Sequence, residues 1–329
     1  MHDHRKEDYL VEKIKPFDVK KVRNAEDILI ALKDCGFQGR NLGRALDILY
    51  TMVTREDCLT VMALSGAMVP AGMGNIICEL MEHELINVLV TTGANIIHDL
   101  VDVFGNIGHF VGSPNVDDNE LFKLRINRIY DTFLPEDNYK NAENHMLDII
   151  HKLFKDKNVN IKPSELFKKI GEKITKRCIL SAAAKHKIPI FVPAFTDSEF
   201  ALNLIKYSVR EGYNFQFDIL GDVLKFGEII KKSKEYGIFI IGGGTPRNWS
   251  QQIFPLLDQI GGIETMGYNY SVRIHTATEY DGGLSGSTIN EAVSWGKYQK
   301  DAKNVSIWCD STIALPILIT GLFQRLKII

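Results

Sequence analysis

Residues 281–297 of this 329-residue chain carry the side chains best suited to covalent amine chemistry. They run Asp281-Gly-Gly-Leu-Ser-Gly-Ser, then Thr-Ile-Asn, then Glu291-Ala-Val-Ser-Trp295-Gly-Lys297. A lysine becomes a nucleophile when desolvation favours its neutral amine, which can then form a Schiff base. Trp295 offers an apolar wall, or a ring face for a cationic amine. Spacing alone leaves Lys297 open between that role and an ordinary solvated charge. A second set of residues suits a different task. Turns at 65–72, 91–95, 193–198, 242–245 and 310–312 are rich in Gly, Ala, Ser and Thr, and each follows an apolar run. Such turns let a dinucleotide or phosphate approach backbone N–H groups. The GxGxxG fingerprint is absent, since Gly242-Gly243-Gly244 continues as Thr-Pro-Arg-Asn, and a glycine run after a strand also serves packing. His98 follows the Thr92-Gly93-Ala94 turn, where an imidazole faces either a ligand or its own helix start. His2 and His4 resemble a metal-binding start, but no His, Asp or Glu set has the spacing of a metal centre, so no metal is expected. GxSxG and Walker patterns are missing as well.

The elements that must position these groups follow one rhythm. Apolar runs at 58–64, 87–92, 188–192, 237–241, 268–275 and 305–309 read as strands, most of them followed by a small-residue turn and an amphipathic helix. Helices are expected at about 73–84, from Glu199, from Trp249 and at the C-terminus. The pattern predicts an α/β, Rossmann-like fold: a mostly parallel sheet with helices on both faces, plus an N-terminal helical arm. Residues 1–34 form the arm and residues 35–329 the body. Leu42, Ala45, Leu46, Leu49 and Met52 recur at helical spacing just inside it. The polar stretch 105–176 reads as helix-rich, without a Pro/Ser/Gly linker that marks a second domain.

Composition narrows the classes further. The chain is 45% hydrophobic and 24% charged with a net charge of -2, which suits a folded globular protein and gives no basic excess for nucleic acid or membrane surfaces. Its five cysteines lack CxxC pairing and read as reduced. The N-terminus has no apolar secretion signal, and the run 313–323 is interrupted by Pro316 and Gly321, short of a membrane span. A cytoplasmic protein with no nucleic-acid or membrane partner is expected.

EAVSWGK at 291–297 resembles the active-site lysine signature of the deoxyhypusine synthase family. CGFQGRNLGRAL (35–46), VLVTTGAN (88–95), RINRIYDTFLPEDNY (125–139), IPIFVPAFTD (188–197), IIGGG (240–244) and HTATEYDG (275–282) fall in family order. The resemblance covers residue 35 to the C-terminus. It implies NAD-dependent transfer of a 4-aminobutyl group: hydride leaves the carbon beside the secondary amine of spermidine, and the resulting imine passes to the active lysine with loss of 1,3-diaminopropane. An acceptor amine then takes the group, and the hydride returns. The usual acceptor is a lysine of the translation initiation factor 5A precursor. The resemblance implies a homotetramer with sites at subunit interfaces.

Carried over by position, NAD contacts fall on Ser65, Gly66, Ala67, Met68, Val69, Pro70, Thr92, Gly93, Ala94, Asp197, Gly243, Thr276, Ala277, Asp310 and Ser311. Lys297 is the implied nucleophile, and Glu291 and Trp295 line the amine pocket, with Asn248, His98 and Asp281 as further substrate contacts. Four positions depart from the family pattern. His98 stands where the family has a glutamate, Asn248 where it has a histidine, and Leu202 and Leu284 where it has aspartates. Fewer carboxylates suit a different amine, so a homospermidine synthase-type enzyme using putrescine or another small amine is the alternative. A non-catalytic NAD-binding paralogue is the third reading, disfavoured by the intact Lys297.

Overall fold

The computed structural model describes residues 5–261 and 267–329; His2 and His4 lie outside them. Six strands form the central sheet: β1 (Cys58–Leu64), β2 (Val88–Val90), β3 (Ile190–Phe191), β4 (Glu235–Ile241), β5 (Tyr268–His275) and β6 (Tyr298–Trp308). They lie in the order β3-β2-β1-β4-β5-β6, and every neighbouring pair is parallel. All seven residues of β1 are buried, as expected of a strand covered on both faces. Its side chains divide by the strand's period of two. Cys58, Met62 and Leu64 join one apolar layer with the helices Phe37–Thr54, Gly74–Glu82 and Ser311–Arg325. Leu59, Val61 and Ala63 join the other, with Ile219–Ile230 and Gly244–Gln259. The expected α/β sheet with helices on both faces is therefore present. No helix among the described residues is long and apolar enough to cross a membrane.

Three boundaries differ from the sequence reading. The helix after β4 begins at Gly244 rather than near Trp249, because the glycine turn itself supplies the first helical residues. β6 extends back to Tyr298 through polar residues that periodicity could not flag. The stretch 105–176 contains helices and also short strands: Phe110–Val111, Ile126–Ile129 and Thr132–Pro135 form an antiparallel sheet. Those strands are two to four residues long and half exposed, too short for an alternating pattern to register.

The expected arm boundary at residue 34 falls inside a packed layer. Helix Ala25–Lys33 buries Leu29 completely and lies against Phe37–Thr54 and the C-terminal helix. Arg325 ties the three together through Glu26 (2.9 Å) and Asp47 (2.7 Å). The contact is closest at Gly43, where a Cβ would lie 2.5 Å from the Leu29 carbonyl oxygen and 2.6 Å from the Lys33 nitrogen. Gly43→Ala must push two backbones apart. The expected cost is about 1–3 kcal/mol, the range for overpacking, read from chemical denaturation. An unchanged midpoint would show that this helix is not held where described.

Candidate active site

The strand order reverses between β1 and β4, so the chain leaves β1 in one direction and β4 in the other and opens a crevice at their carboxyl ends. Ser65, the first residue past β1, closes the base of this crevice. Its hydroxyl donates to the Ile241 carbonyl (2.9 Å) and accepts from the Gly243 N–H (2.8 Å), while its own N–H also reaches Ile241 (3.1 Å). Gly242 passes so close that a Cβ would sit 2.5 Å from the Ser65 oxygen, and its φ of +76 lies in the left-handed region.

Above Ser65 lies a cleft of about 670 Å³. Ser65, Gly66, Ala67, Met68, Pro70, Thr276, Asp310 and Ser311 line it, eight of the fifteen positions expected to hold a dinucleotide. Asp310 accepts from the N–H (2.7 Å) and hydroxyl (2.6 Å) of Thr312, capping the Ser311–Arg325 helix at the cleft wall. The remaining expected contacts sit elsewhere. Val69 turns into the core, and Ala277 is half-buried beyond the lining residues. Gly243, Thr92, Gly93 and Ala94 are not among the lining residues; the last three start the Gly93–Phe104 helix, whose Asn95 Oδ1 accepts from the Val69 N–H (3.3 Å). Thr92 caps that helix by accepting from Asn95 N–H, and Asp197 is on an exposed turn.

Gly242 lines the cleft, as its place in the 242–245 turn predicts, while sequence reasoning missed His275 and the turn residues Ile129, Tyr130, Asp131 and Thr132, which close the cleft from the small antiparallel sheet. His275 was legible as the last strand residue before Thr276; residues 129–132 fall within the family segment 125–139, but nothing local marked them as cleft residues. Burial, with Arg273 and Arg247 nearby, pushes the His275 imidazole down to about 4, so it is neutral. Its Nδ1 is buried with no partner among the described residues. A buried polar atom left unmatched in a cleft fits a site that a ligand completes. The small-residue walls, the capped helix start and this free nitrogen suit a dinucleotide such as NAD.

Lys297 lines a separate cleft of about 820 Å³, with Asn248, Gln252, Tyr280, Leu284, Glu291 and Trp295 among its walls. It immediately precedes β6, so its backbone enters from the opposite end of the sheet to the small-residue turns. Thr288 caps the short helix Ile289–Val293 by accepting from the Glu291 N–H (3.1 Å), which sets Glu291 on the rim. Gly296 (φ +69) then turns the chain so that the Lys297 N–H meets the Ala292 carbonyl (3.1 Å). The Lys297 Nζ donates to Asn248 Oδ1 (2.9 Å) and stands 5.6 Å from the Trp295 ring centre. Its pKa lies below the ordinary lysine value, first through burial and then through the Arg247 charge, with Glu291 opposing. Gln252 and Tyr280 were missed, although Gln252 is one helical turn beyond Asn248.

His98 and Asp281 are not brought to either cleft. His98 Nδ1 lies 3.0 Å from His109 Nε2, whose Nδ1 is 2.6 Å from Asp102. Burial, reinforced by His109, holds His98 down to about 4. The Asp281 carboxylate turns back to accept from the Gly283 N–H (2.7 Å) and the Thr278 hydroxyl (3.2 Å), shaping its own loop. Leu202 is exposed on the Glu199–Glu211 helix, outside both clefts.

The strand order, the crevice at the switch point and a half-buried lysine define a doubly wound α/β protein with a candidate covalent amine site. The sequence profile of the family described as deoxyhypusine synthase matches residues 27–322. Among relatives, one named probable deoxyhypusine synthase 2 from Methanosarcina mazei is 35% identical, covering 95% of this chain and 90% of its own. Another of the same name, from Archaeoglobus fulgidus, is 39% identical over 87% of this chain and 94% of its own. A solved structure of a candidate deoxyhypusine synthase from Entamoeba histolytica shares the fold, with a TM-score of 0.65 at 20% identity over 94% and 97% of the two chains. The chain belongs to the deoxyhypusine synthase family.

Replacing Ser65 by Ala leaves the Gly243 N–H without its acceptor. The expected loss is about 1–3 kcal/mol, the cost of an unmatched buried donor. A denaturation midpoint equal to that of the unsubstituted protein would mean that the hydroxyl does not hold the two turns together.

Proposed function

We propose that this protein transfers the 4-aminobutyl group of spermidine, by way of an imine on Lys297, to a lysine of the translation initiation factor 5A precursor, with NAD as cofactor. The observation that supports this most is Lys297 itself. Within the family-specific EAVSWGK segment, it is half-buried, hydrogen-bonded to a neutral amide and biased toward the uncharged amine that attack requires. Bound NAD supplies the site that accepts hydride from the amine carbon and gives it back once the group has moved.

The chain's own residues account for the remaining steps. The cleft above Ser65 offers small-residue walls, the Asp310-capped helix and the neutral His275 nitrogen to the cofactor. Asn248 holds the Lys297 nitrogen in one direction, which leaves its lone pair to face the donor carbon. Glu291 supplies a carboxylate for an ammonium at the rim, and the Trp295 face stacks against the aminoalkyl chain. Once the amine has attacked, 1,3-diaminopropane leaves and the imine on Lys297 carries the group to the acceptor. In this reading the enzyme is a cytoplasmic homotetramer in which a second copy covers the open side of the lysine cleft, where Trp295 is 62% and Tyr280 93% exposed.

A specific observation favours the second reading, a homospermidine synthase-type reaction with putrescine as acceptor. Among the residues lining the lysine cleft, Glu291 is the lone carboxylate, with Leu284 and Asn248 beside it where the resemblance implies an aspartate and a histidine. A trication needs matched carboxylates, so this lining suits a different balance of amines.

The test is a product assay with purified protein, NAD and spermidine labelled in its aminobutyl carbons, run once with factor 5A precursor and once with putrescine. Label on the precursor's lysine is the expected result. Label only in homospermidine would move the activity to small-amine metabolism, and label in neither product would sink both readings.

A further inference from the structure

Arg247 is 1% exposed, one residue before the Asn248 that holds Lys297. Its Nη1 donates to the carbonyls of Ser287 (2.9 Å) and Leu284 (3.5 Å), and both of those residues line the lysine cleft. Nε and Nη2 are buried without a hydrogen-bond partner. Arg273, also 1% exposed, lies beside it and donates to the carbonyls of Gly242, Ser285 and Ser287. Neither guanidinium is in an ion pair with a carboxylate among the described residues. Glu291 acts on Arg247 and Glu279 on Arg273 only from beyond ion-pair distance, so both buried charges are costly, because carbonyl dipoles offset only part of the lost hydration. Arg325, only partly buried, has two carboxylates.

We propose that Arg247 is a positioning residue whose fixed, buried charge behind the wall of the cleft lowers the pH at which the Lys297 amine gives up its proton and becomes able to attack. This rests on the proposed function only in taking Lys297 as the reacting amine.

The groups facing Lys297 come from four elements. Helix Gly244–Gln259 contributes Arg247, and β5 contributes Arg273 behind it. Helix Ile289–Val293 contributes Glu291, and β6 contributes Tyr298, whose hydroxyl is engaged by Gln251 (2.6 Å) and Ser271 (3.3 Å) and kept neutral by burial. Tyr280 and Glu279 stand on the exposed loop. Glu291 and the Trp295 face favour the ammonium, but both are exposed, so water and salt screen the carboxylate. Arg247 is out of water and unscreened, so its repulsion prevails at short range. That agrees with the direction of the Lys297 shift, where burial and Arg247 outweigh Glu291. The sign follows: the reactive fraction of Lys297 is set at lower pH with Arg247 than without it.

The test measures ionisation without any transfer reaction. The protein receives short pulses of formaldehyde and cyanoborohydride over a range of pH, and methylation of Lys297 and of exposed Lys300 is read by peptide mass spectrometry. Only the neutral amine reacts. In the unsubstituted protein Lys297 should reach half-maximal rate at lower pH than Lys300. Arg247→Met should raise the Lys297 midpoint by about one pH unit while Lys300 stays put, and Arg247→Lys should restore it. An Arg247→Met protein that melts like the parent with an unmoved Lys297 midpoint overturns the proposal. If that variant does not fold, the parent alone decides: a Lys297 midpoint no lower than that of Lys300 overturns it too. Because no spermidine or NAD is present, failure here is separate from failure of the product assay.

Discussion

The molecule is organised around the place where β1 and β4 lie side by side and their outgoing chains part. A parallel sheet must diverge somewhere, and here one hydroxyl keeps the divergence narrow. Ser65 accepts from one turn and donates to the end of the neighbouring strand, so the two loops that wall the crevice are fixed to each other and not merely adjacent. Gly242 allows that approach because nothing larger fits against the Ser65 oxygen. The alternating burial of β1 and β4, with one set of side chains in each helical layer, holds both strands rigid beneath the crevice. The dinucleotide-sized cleft is a consequence of this junction.

The lysine cleft solves a different problem. An amine that must be neutral near physiological pH needs either deep burial or a like charge close by. Lys297 is only half-buried, as a residue reached by an external amine has to be. Burial lowers the Lys297 pKa first, and the Arg247 charge adds to it; Arg247 and Arg273 lie under the loop that forms the cleft wall, held by backbone carbonyls. Those same contacts fasten the loop between the two clefts, with the Ser285 hydroxyl accepting from the Gly244 N–H (2.9 Å). Electrostatics and loop position thus share one set of residues, which sets a stability cost against reactivity.

Much of this was legible in the sequence, for physical reasons. β1 and β4, buried nearly along their whole length, appear as continuous apolar runs, so the α/β architecture could be read from 58–64 and 237–241 directly. The EAVSWGK segment carried the family, and its helix cap and glycine turn are local. Other features lay beyond reach. The hairpin at 126–135 closes the cleft above Ser65 from far along the chain, through strands too short to show a period. Helix Ala25–Lys33 looked like an arm because its single fully buried residue, Leu29, gives little pattern, and only its partner Gly43 reveals the packing. Nothing local marked Arg247 as buried: its burial is set by β5 and the 281–287 loop, neither of which is near it in sequence.

The most direct measurement is to trap the covalent step. Protein incubated with NAD and spermidine is quenched with borohydride, which reduces an imine to a stable amine, and digested for peptide mass spectrometry. A 4-aminobutyl adduct on Lys297, formed only when NAD is present, is the result this structure leads us to expect. Turnover of spermidine with no adduct on Lys297, or with the adduct on another lysine, would contradict the account at its centre.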